Sequence, residues 1–239
     1  MPHSLAAPVT TSPTASAAGT GRPGVVAVFD LDGTLTYRDT FIPWVLGFVA
    51  PRPTRWWRLL VFLPLGLAVL CGARDRGMLK AWLLRALAGG AEAAVLDRWS
   101  QIYAQRVVDQ QLRQGAVAAL LQHQAEGHHV IILSASVDAY VPRIGALLGV
   151  NEVICTGVRW RADGRLDGRL TTPNRQGTEK AIVLQALRER WPGNTFAAYG
   201  NTSGDLPHLR LVEHPLLVNG NARARRRAAA LQIPTDEWP

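Results

Sequence analysis

The chain has 239 residues, 48% of them apolar, enough for one large domain or a domain carrying an insertion. Its net charge of +8, with Arg far outnumbering Lys, favours anionic partners (phosphorylated metabolites, nucleic acid or anionic headgroups) without choosing among them. The two cysteines, Cys71 and Cys155, lie far apart without metal-ligand spacing, which excludes a disulfide framework and fits a reducing, cytoplasmic compartment.

Residues 1–24 are rich in Ala, Ser, Thr, Pro and Gly, lack the apolar core of a signal peptide, and read as a disordered tail. Val25–Phe29 is a short apolar run between Gly24 and Asp30, the pattern of a buried central strand. Residues 40–125 read as mostly helical and Trp-rich. "HVIIL" (129–133) predicts a second buried strand ending at Ser134, and Val137–Leu148 has helical spacing up to Gly149. Val153–Trp160 and Arg165–Leu170 flank "ADG", a hairpin turn. Thr178–Arg190 predicts a helix capped by Thr178 and closed by "WPG". Thr195–Tyr199 and Leu216–Val218 are further core strands, and "NARARRRAAALQ" is a basic surface helix. Strand–loop–helix units with polar residues at the strand ends indicate an α/β fold around an open, mostly parallel sheet. Ligands sit beyond the carboxyl ends of such strands, so Asp30, Asp32, Ser134, Asn201 and Asp205 should converge at one edge. The helical block 40–125 is too long for an ordinary connection and reads as a cap inserted between core segments 25–39 and 126–239.

Asp30 and Asp32 follow a buried strand and precede Gly33, Thr34, Leu35 and Thr36. Glycine lets the backbone turn tightly and approach an anion. Two neighbouring carboxylates do not both stay ionised without a cation, and Mg²⁺ suits oxygen ligands. One carboxylate can then act as nucleophile and the other as acid and base. Taken alone, the same residues also fit an ordinary Asp-Gly turn.

"FDLDGTLT" with "ILSAS" (132–136), "GTEK" (177–180) and "YGNTSGD" (199–205) resembles the haloacid dehalogenase-like hydrolases over about residues 25–220. The motif order and the helical insert are similar to the phosphoserine phosphatase-like branch, subfamily IB. The resemblance implies a Rossmann-like three-layer fold with a helical cap, and Mg²⁺-dependent hydrolysis of a phosphomonoester. It implies Asp30 as nucleophile, carrying an aspartyl-phosphate, and Asp32 as acid and then base, with its backbone carbonyl towards the metal. It further implies that Gly33, Thr34, Ser134 and Lys180 hold the phosphate, and that Asp30, Asp32, Asn201 and Asp205 surround the metal. The position of Lys180 in a first helical turn agrees, since free N–H groups there attract anions. The family's fourth motif usually opens Gly-Asp; here it is Gly200-Asn201. An Asn carbonyl can coordinate Mg²⁺ but brings no charge, so a weaker metal site is expected, and a degenerate, non-catalytic binding protein stands as an alternative.

Asp39 lies where the phosphoserine phosphatases read the substrate's amino group, and equally where an N-cap would sit. Ser136 and Asp138 could line the pocket, although capping a helix at 137 is the plainer reading. His123, His128 and His129 lack the spacing and carboxylate company of a metal site and read as surface or strand-entry residues. Gly157–Gly168 reads as a structural hairpin.

The uncharged run Leu59–Ala73 is shorter than the ~20 residues a spanning helix needs, and is flanked by Arg52, Arg55, Arg58, Arg74, Arg76 and Lys80. With Trp44, Trp56, Trp57 and Trp82 near its ends, residues 44–82 suit either a cap core with an arginine rim or a peripheral contact with the inner face of the cytoplasmic membrane. "DGTLTYRDTF", "LPLGLAVLCGARDRGMLK" and "NRQGTEK" are similar to the phosphatidylglycerophosphatase C-like group, which implies a lipid phosphate such as phosphatidylglycerophosphate. A small soluble phosphate, phosphoserine-like or a sugar phosphate, is the alternative. "RARRR" (223–227) lacks interleaved aromatics or a docking motif, so no specific nucleic acid is expected.

Overall fold

The computed structural model describes residues 24–52, Thr54, Trp57, Pro64 and residues 76–239. The expectations for the amino-terminal tail and for the apolar run 59–73 fall, Gly24 and Pro64 apart, outside the described residues. In chain order the elements are β1 (Val25–Phe29), α1 (Phe41–Val49), α2 (Arg76–Leu83), α3 (Ala93–Gln110), α4 (Gln114–Ala125), β2 (His129–Val137), α5 (Val141–Leu147), β3 (Glu152–Thr156), β4 (Val158–Trp160), β5 (Leu166–Leu170), α6 (Thr178–Arg190), β6 (Thr195–Gly200), α7 (Leu206–Leu209), β7 (His214–Val218), α8 (Ala222–Ala230) and β8 (Thr235–Asp236).

Six strands form one parallel sheet in the order β3-β2-β1-β6-β7-β8. β1 is central and apolar along its length because both faces are covered. Side chains alternate between the faces. Val26, Val28, Ile131 and Leu133 pack with α6, α7 and α8, while Ala27, Phe29, Val130 and Ile132 pack towards α1, α3, α4 and α5. These two apolar layers, one on each side of the sheet, make the three-layer α/β architecture. Each fully buried Val, Ile, Leu or Phe in them contributes roughly 1.5–3 kcal/mol relative to exposure.

The structure departs from the local reading at four places. β2 runs past Ser134 to Val137, because Val137 still pairs with Thr156, and the helix begins only at Val141 with Pro142 in its first turn. Val153–Trp160 is two strands, since Gly157 separates β3, in the main sheet, from β4, which pairs antiparallel with β5. A side chain at Gly157 would meet Thr171 Oγ1 at 2.3 Å. α6 is preceded by Gly177 at φ +63°, and Thr178 lies inside the helix without capping it. β8, two residues long, carried no sequence signal.

The segment 40–125 divides by contact. α4 lies against β2 and the turn after β1, where Arg113 N–H donates to Leu35 O at 2.9 Å. α1 and α3 are joined by Trp44 Nε1–H to Ser100 Oγ (3.1 Å) and Trp99 Nε1–H to Trp44 O (3.0 Å). Both are tied to the core through Tyr140, whose ring stacks on Trp44 at 5.2 Å. Trp44 is therefore fully buried and no part of an exposed aromatic rim; Trp57 and Trp82 are exposed. Among the described residues no helix is long and apolar enough to cross a membrane.

Candidate active site

Where β1 ends, Asp30 N–H donates to Tyr199 O at 3.0 Å, which pins the residue to β6. The chain then makes a wide turn over Leu31–Leu35. Gly33 sits there at φ +86°, and a Cβ on it would lie 2.0 Å from Asn201 Nδ2. Only glycine satisfies both the left-handed backbone and that close approach. The loop after β6 folds on Asp205, whose Oδ2 accepts from Asn201 N–H (3.2 Å), Thr202 N–H (2.9 Å) and Thr202 Oγ1–H (2.7 Å).

Lys180 in the first turn of α6 joins these two loops. Its buried Nζ donates to Asp30 Oδ1 and to Asp205 Oδ1, both at 2.6 Å. Thr34 Oγ1–H donates to the other Asp30 oxygen at 3.0 Å. Asp32 is held by different partners. Its Oδ1 accepts from Thr40 N–H (2.7 Å) and Thr40 Oγ1–H (2.6 Å), and its Oδ2 accepts from Ser136 Oγ–H at 2.6 Å. Thr40 Oγ1 also lies 2.8 Å from Tyr140 OH, so the residue that stacks on Trp44 of α1 supports the site as well.

The two carboxylates of the first motif are both pushed towards the protonated form, for different reasons. Burial raises Asp30 to about 7, against the pull of the Lys180 charge. Burial and then the Asp39 charge raise Asp32, while bonds from Ser136 and Thr40 pull it back. At Asp205 burial acts in the same direction, but the Lys180 charge, His208 and the hydrogen bonds from Lys180 and Thr202 outweigh it and hold the acid well below its usual range. Burial opposes the charge on Lys180, yet Asp205 and Asp30 keep it firmly protonated.

These groups form the floor of a cavity of about 580 Å³. Of the residues expected from sequence, Asp30, Asp32, Gly33, Asp39, Ser136, Lys180, Asn201 and Asp205 line it. Thr34 and Ser134 do not. Thr34 is fully buried and bonded to Asp30, and Ser134, inside β2, is fully buried with its Oγ accepting Ser136 N–H at 3.0 Å. Asp39 also accepts Ile42 N–H at 3.0 Å, the capping role at the start of α1. Asp138 caps no helix; its carboxylate accepts Val158 N–H at 3.1 Å. Thr40, Tyr140 and Lys80 were not singled out in the sequence as site residues. Lys80 lines the cavity and reaches Ala135 O and, at 2.9 Å, Asn174 Oδ1. Only Thr40 carried a local signal, a hydroxyl just before a helical run.

The donor set fits a hard divalent cation. Asp30, Asp205 and Asn201 offer it oxygen atoms at the cavity floor, and Asn201 Oδ1 is buried without a hydrogen-bond partner among the described residues.

A family model described as haloacid dehalogenase-like hydrolase matches residues 27–210. The chain is 33% identical over 195 residues to Protein CicA of Caulobacter vibrioides (strain NA1000 / CB15N), covering 81% of this chain and 85% of that protein. It is 27% identical over 227 residues to phosphoserine phosphatase SerB1 of Mycobacterium tuberculosis (strain ATCC 25618 / H37Rv), covering 91% and 73%. A crystal structure of a protein with unknown function from Bordetella pertussis Tohama I superposes with a TM-score of 0.77 at 22% identity, covering 89% of this chain and 98% of that one.

Proposed function

The chain belongs to the haloacid dehalogenase-like hydrolases, and on that premise we propose that it is a Mg²⁺-dependent phosphomonoesterase working through an aspartyl-phosphate on Asp30. The observation that carries this reading is Lys180 Nζ held at 2.6 Å from both Asp30 and Asp205, beside an Asp32 that, among the described residues, is held by hydroxyls and a backbone N–H. That arrangement separates two neighbouring carboxylates into two roles. Asp30, raised by burial to about 7 but held against the Lys180 charge, is ionised above that pH and suited to act as the anionic nucleophile. Asp32, raised by burial, is the one suited to carry a proton.

An Asp30 oxygen attacks phosphorus, the bond from phosphorus to the ester oxygen breaks, and Asp32 gives its proton to the departing alkoxide. Asp32, now a carboxylate, takes a proton from water as that water attacks phosphorus. The Asp30–phosphorus bond breaks and inorganic phosphate leaves. Lys180 offsets the charge gathered on the phosphoryl oxygens and on Asp30. Thr40 and Ser136 hold Asp32 in place. Mg²⁺, held by Asp30, Asp205, Asn201 and the Asp32 carbonyl, would supply further charge neutralisation.

Tyr37, Phe41, Ile42, Leu79 and Leu83 line the cavity above the acids. Ile42, Leu46, Met78 and Trp82 of α1 and α2 are exposed. These favour an alcohol with a hydrocarbon portion, a lipid phosphate such as phosphatidylglycerophosphate met at a membrane surface. A small soluble phosphate is the second reading, favoured by the likeness to SerB1 over most of the chain.

Hydrolysis of p-nitrophenyl phosphate with and without Mg²⁺, in the wild type and Asp30→Asn, tests the chemistry. Turnover that needs the metal and is lost in the variant is expected. Absence of both turnover and a beryllofluoride adduct on Asp30 would overturn the proposal. Comparing phosphatidylglycerophosphate in vesicles with phosphoserine and sugar phosphates then separates the two substrate classes.

A further inference from the structure

α4 ends in a turn that brings together three side chains far from the phosphate cavity. α4 ends at Ala125 with Glu126 as its C-cap, and Gly127 follows at φ +71°. His128 N–H then reaches back to His123 O at 2.9 Å. This is the Schellman closure, in which the residue after the left-handed glycine folds onto the residue five positions earlier. An apolar pair usually occupies those two positions. Here they are His123 and His128, and their Nδ1 atoms face each other at 2.7 Å. Glu126 Oε2 lies 3.4 Å from His128 Nδ1. The sequence reading gave these histidines no carboxylate company; the turn supplies it.

We propose that His123, Glu126 and His128 form a binding site for a borderline divalent metal of the zinc class, separate from the phosphate cavity. The ligand atoms of the three residues lie within 4.8 Å of one another. Two imidazoles and a carboxylate are a donor set that zinc takes, and neither Mg²⁺ nor Ca²⁺ prefers it. A tetrahedral zinc about 2.0–2.1 Å from each nitrogen holds two such nitrogens about 3.3 Å apart. The pair at 2.7 Å must therefore open by about 0.6 Å, whereas the 3.4 Å between Glu126 and His128 already matches such an edge.

A second feature prepares His123. Its Nε2 lies 2.8 Å from Tyr199 OH, and Phe29 and Tyr199 both pack against the ring at under 6 Å. The phenol oxygen can accept from Nε2–H, which leaves the lone pair on Nδ1, the atom that faces the other two ligands. Metal-bound histidines are commonly oriented in this way by a partner on the second nitrogen. The site is half-buried on the Tyr199 side and open at Glu126, so a fourth position stays accessible to water.

The test is a titration of the full chain with Zn²⁺ alone, followed by nitrogen-detected histidine spectra and by competition with a chromogenic chelator. The Nδ1 resonances of His123 and His128 should move with zinc. His123→Gln, His128→Gln and the exposed Glu126→Gln should each weaken zinc binding at least tenfold, and Tyr199→Phe about tenfold. Mg²⁺-dependent turnover of p-nitrophenyl phosphate by the Gln variants serves as the check that they fold. Unmoved Nδ1 resonances, or unchanged zinc affinity in Glu126→Gln and in the double histidine variant, would overturn the proposal.

Discussion

Lys180→Met is the sharpest perturbation of the site, because it removes a positive charge set between two buried acids. The wild-type ammonium makes two bonds of 2.6 Å, to Asp30 and to Asp205, with all three side chains nearly inaccessible. Hydrogen bonds to charged partners contribute roughly 1.5–3 kcal/mol each. Stripping one partner from a buried ion pair typically costs about 3–5 kcal/mol, since the remaining charge is left uncompensated. The two estimates agree, so a loss of about 3–5 kcal/mol near pH 8 is expected. The sign of its pH dependence follows from where the protons go. Without the lysine, burial raises both folded-state carboxylate pKa values above the unfolded value of about 3.9. The folded variant then binds protons that its unfolded chain has released. The deficit is therefore full at about pH 8 and shrinks as the pH falls towards about 5. Urea denaturation of both proteins at several pH values in metal-free buffer measures it, and turnover should fall about 100- to 1,000-fold. A stability loss below about 1 kcal/mol, or one that does not change with pH, would refute the argument that Lys180 offsets two buried negative charges.

Gly33→Ala should cost about 2–4 kcal/mol by urea denaturation, from a left-handed backbone and a Cβ placed 2.0 Å from Asn201 Nδ2, and should lower turnover by moving Asn201; a loss within about 0.5 kcal/mol would show that the turn relaxes freely. Asp138→Asn tests the opposite pH sense. Burial raises Asp138 from 3.8 to about 6, so its charged form weakens the fold, and wild-type stability recovers as the pH falls through 6 towards 4. The amide keeps an acceptor for Val158 N–H, so the variant should be about 1–2 kcal/mol more stable than wild type near pH 8 and equal to it near pH 4. An advantage that persists at acid pH would point to packing instead.

Much of the scaffold was legible before the structure. Val25–Phe29 and "HVIIL" are apolar without alternation because both faces of a parallel sheet are covered, and the pattern needs no distant information. Gly33 could be assigned a turn from its neighbours alone. The errors came where a distant partner decides the local state. Val137 continues β2 because Thr156 pairs with it, and Gly157 ends β3 because β5 claims Val158. Near the end of β2, Ser136 presents its hydroxyl to Asp32 while Ser134 is buried and accepts Ser136 N–H, an arrangement that motif position alone does not give.

A parallel α/β core, the pair Asp30 and Asp32 at the end of its central strand, and a helix over Thr178–Arg190 with Lys180 in its first turn were all readable from the sequence. Those follow from periodicity, composition and short motifs, which act over a few residues. That Lys180 bridges Asp30, 150 positions away, and Asp205, 25 positions away, came from the folded chain. It alone placed Thr40 and Ser136 on Asp32 and closed His123, Glu126 and His128 into one cluster. The reason is physical. A strand's pattern fixes which face is buried, but which loops meet at the sheet edge depends on strand order and crossover, and those are settled by packing over the whole chain.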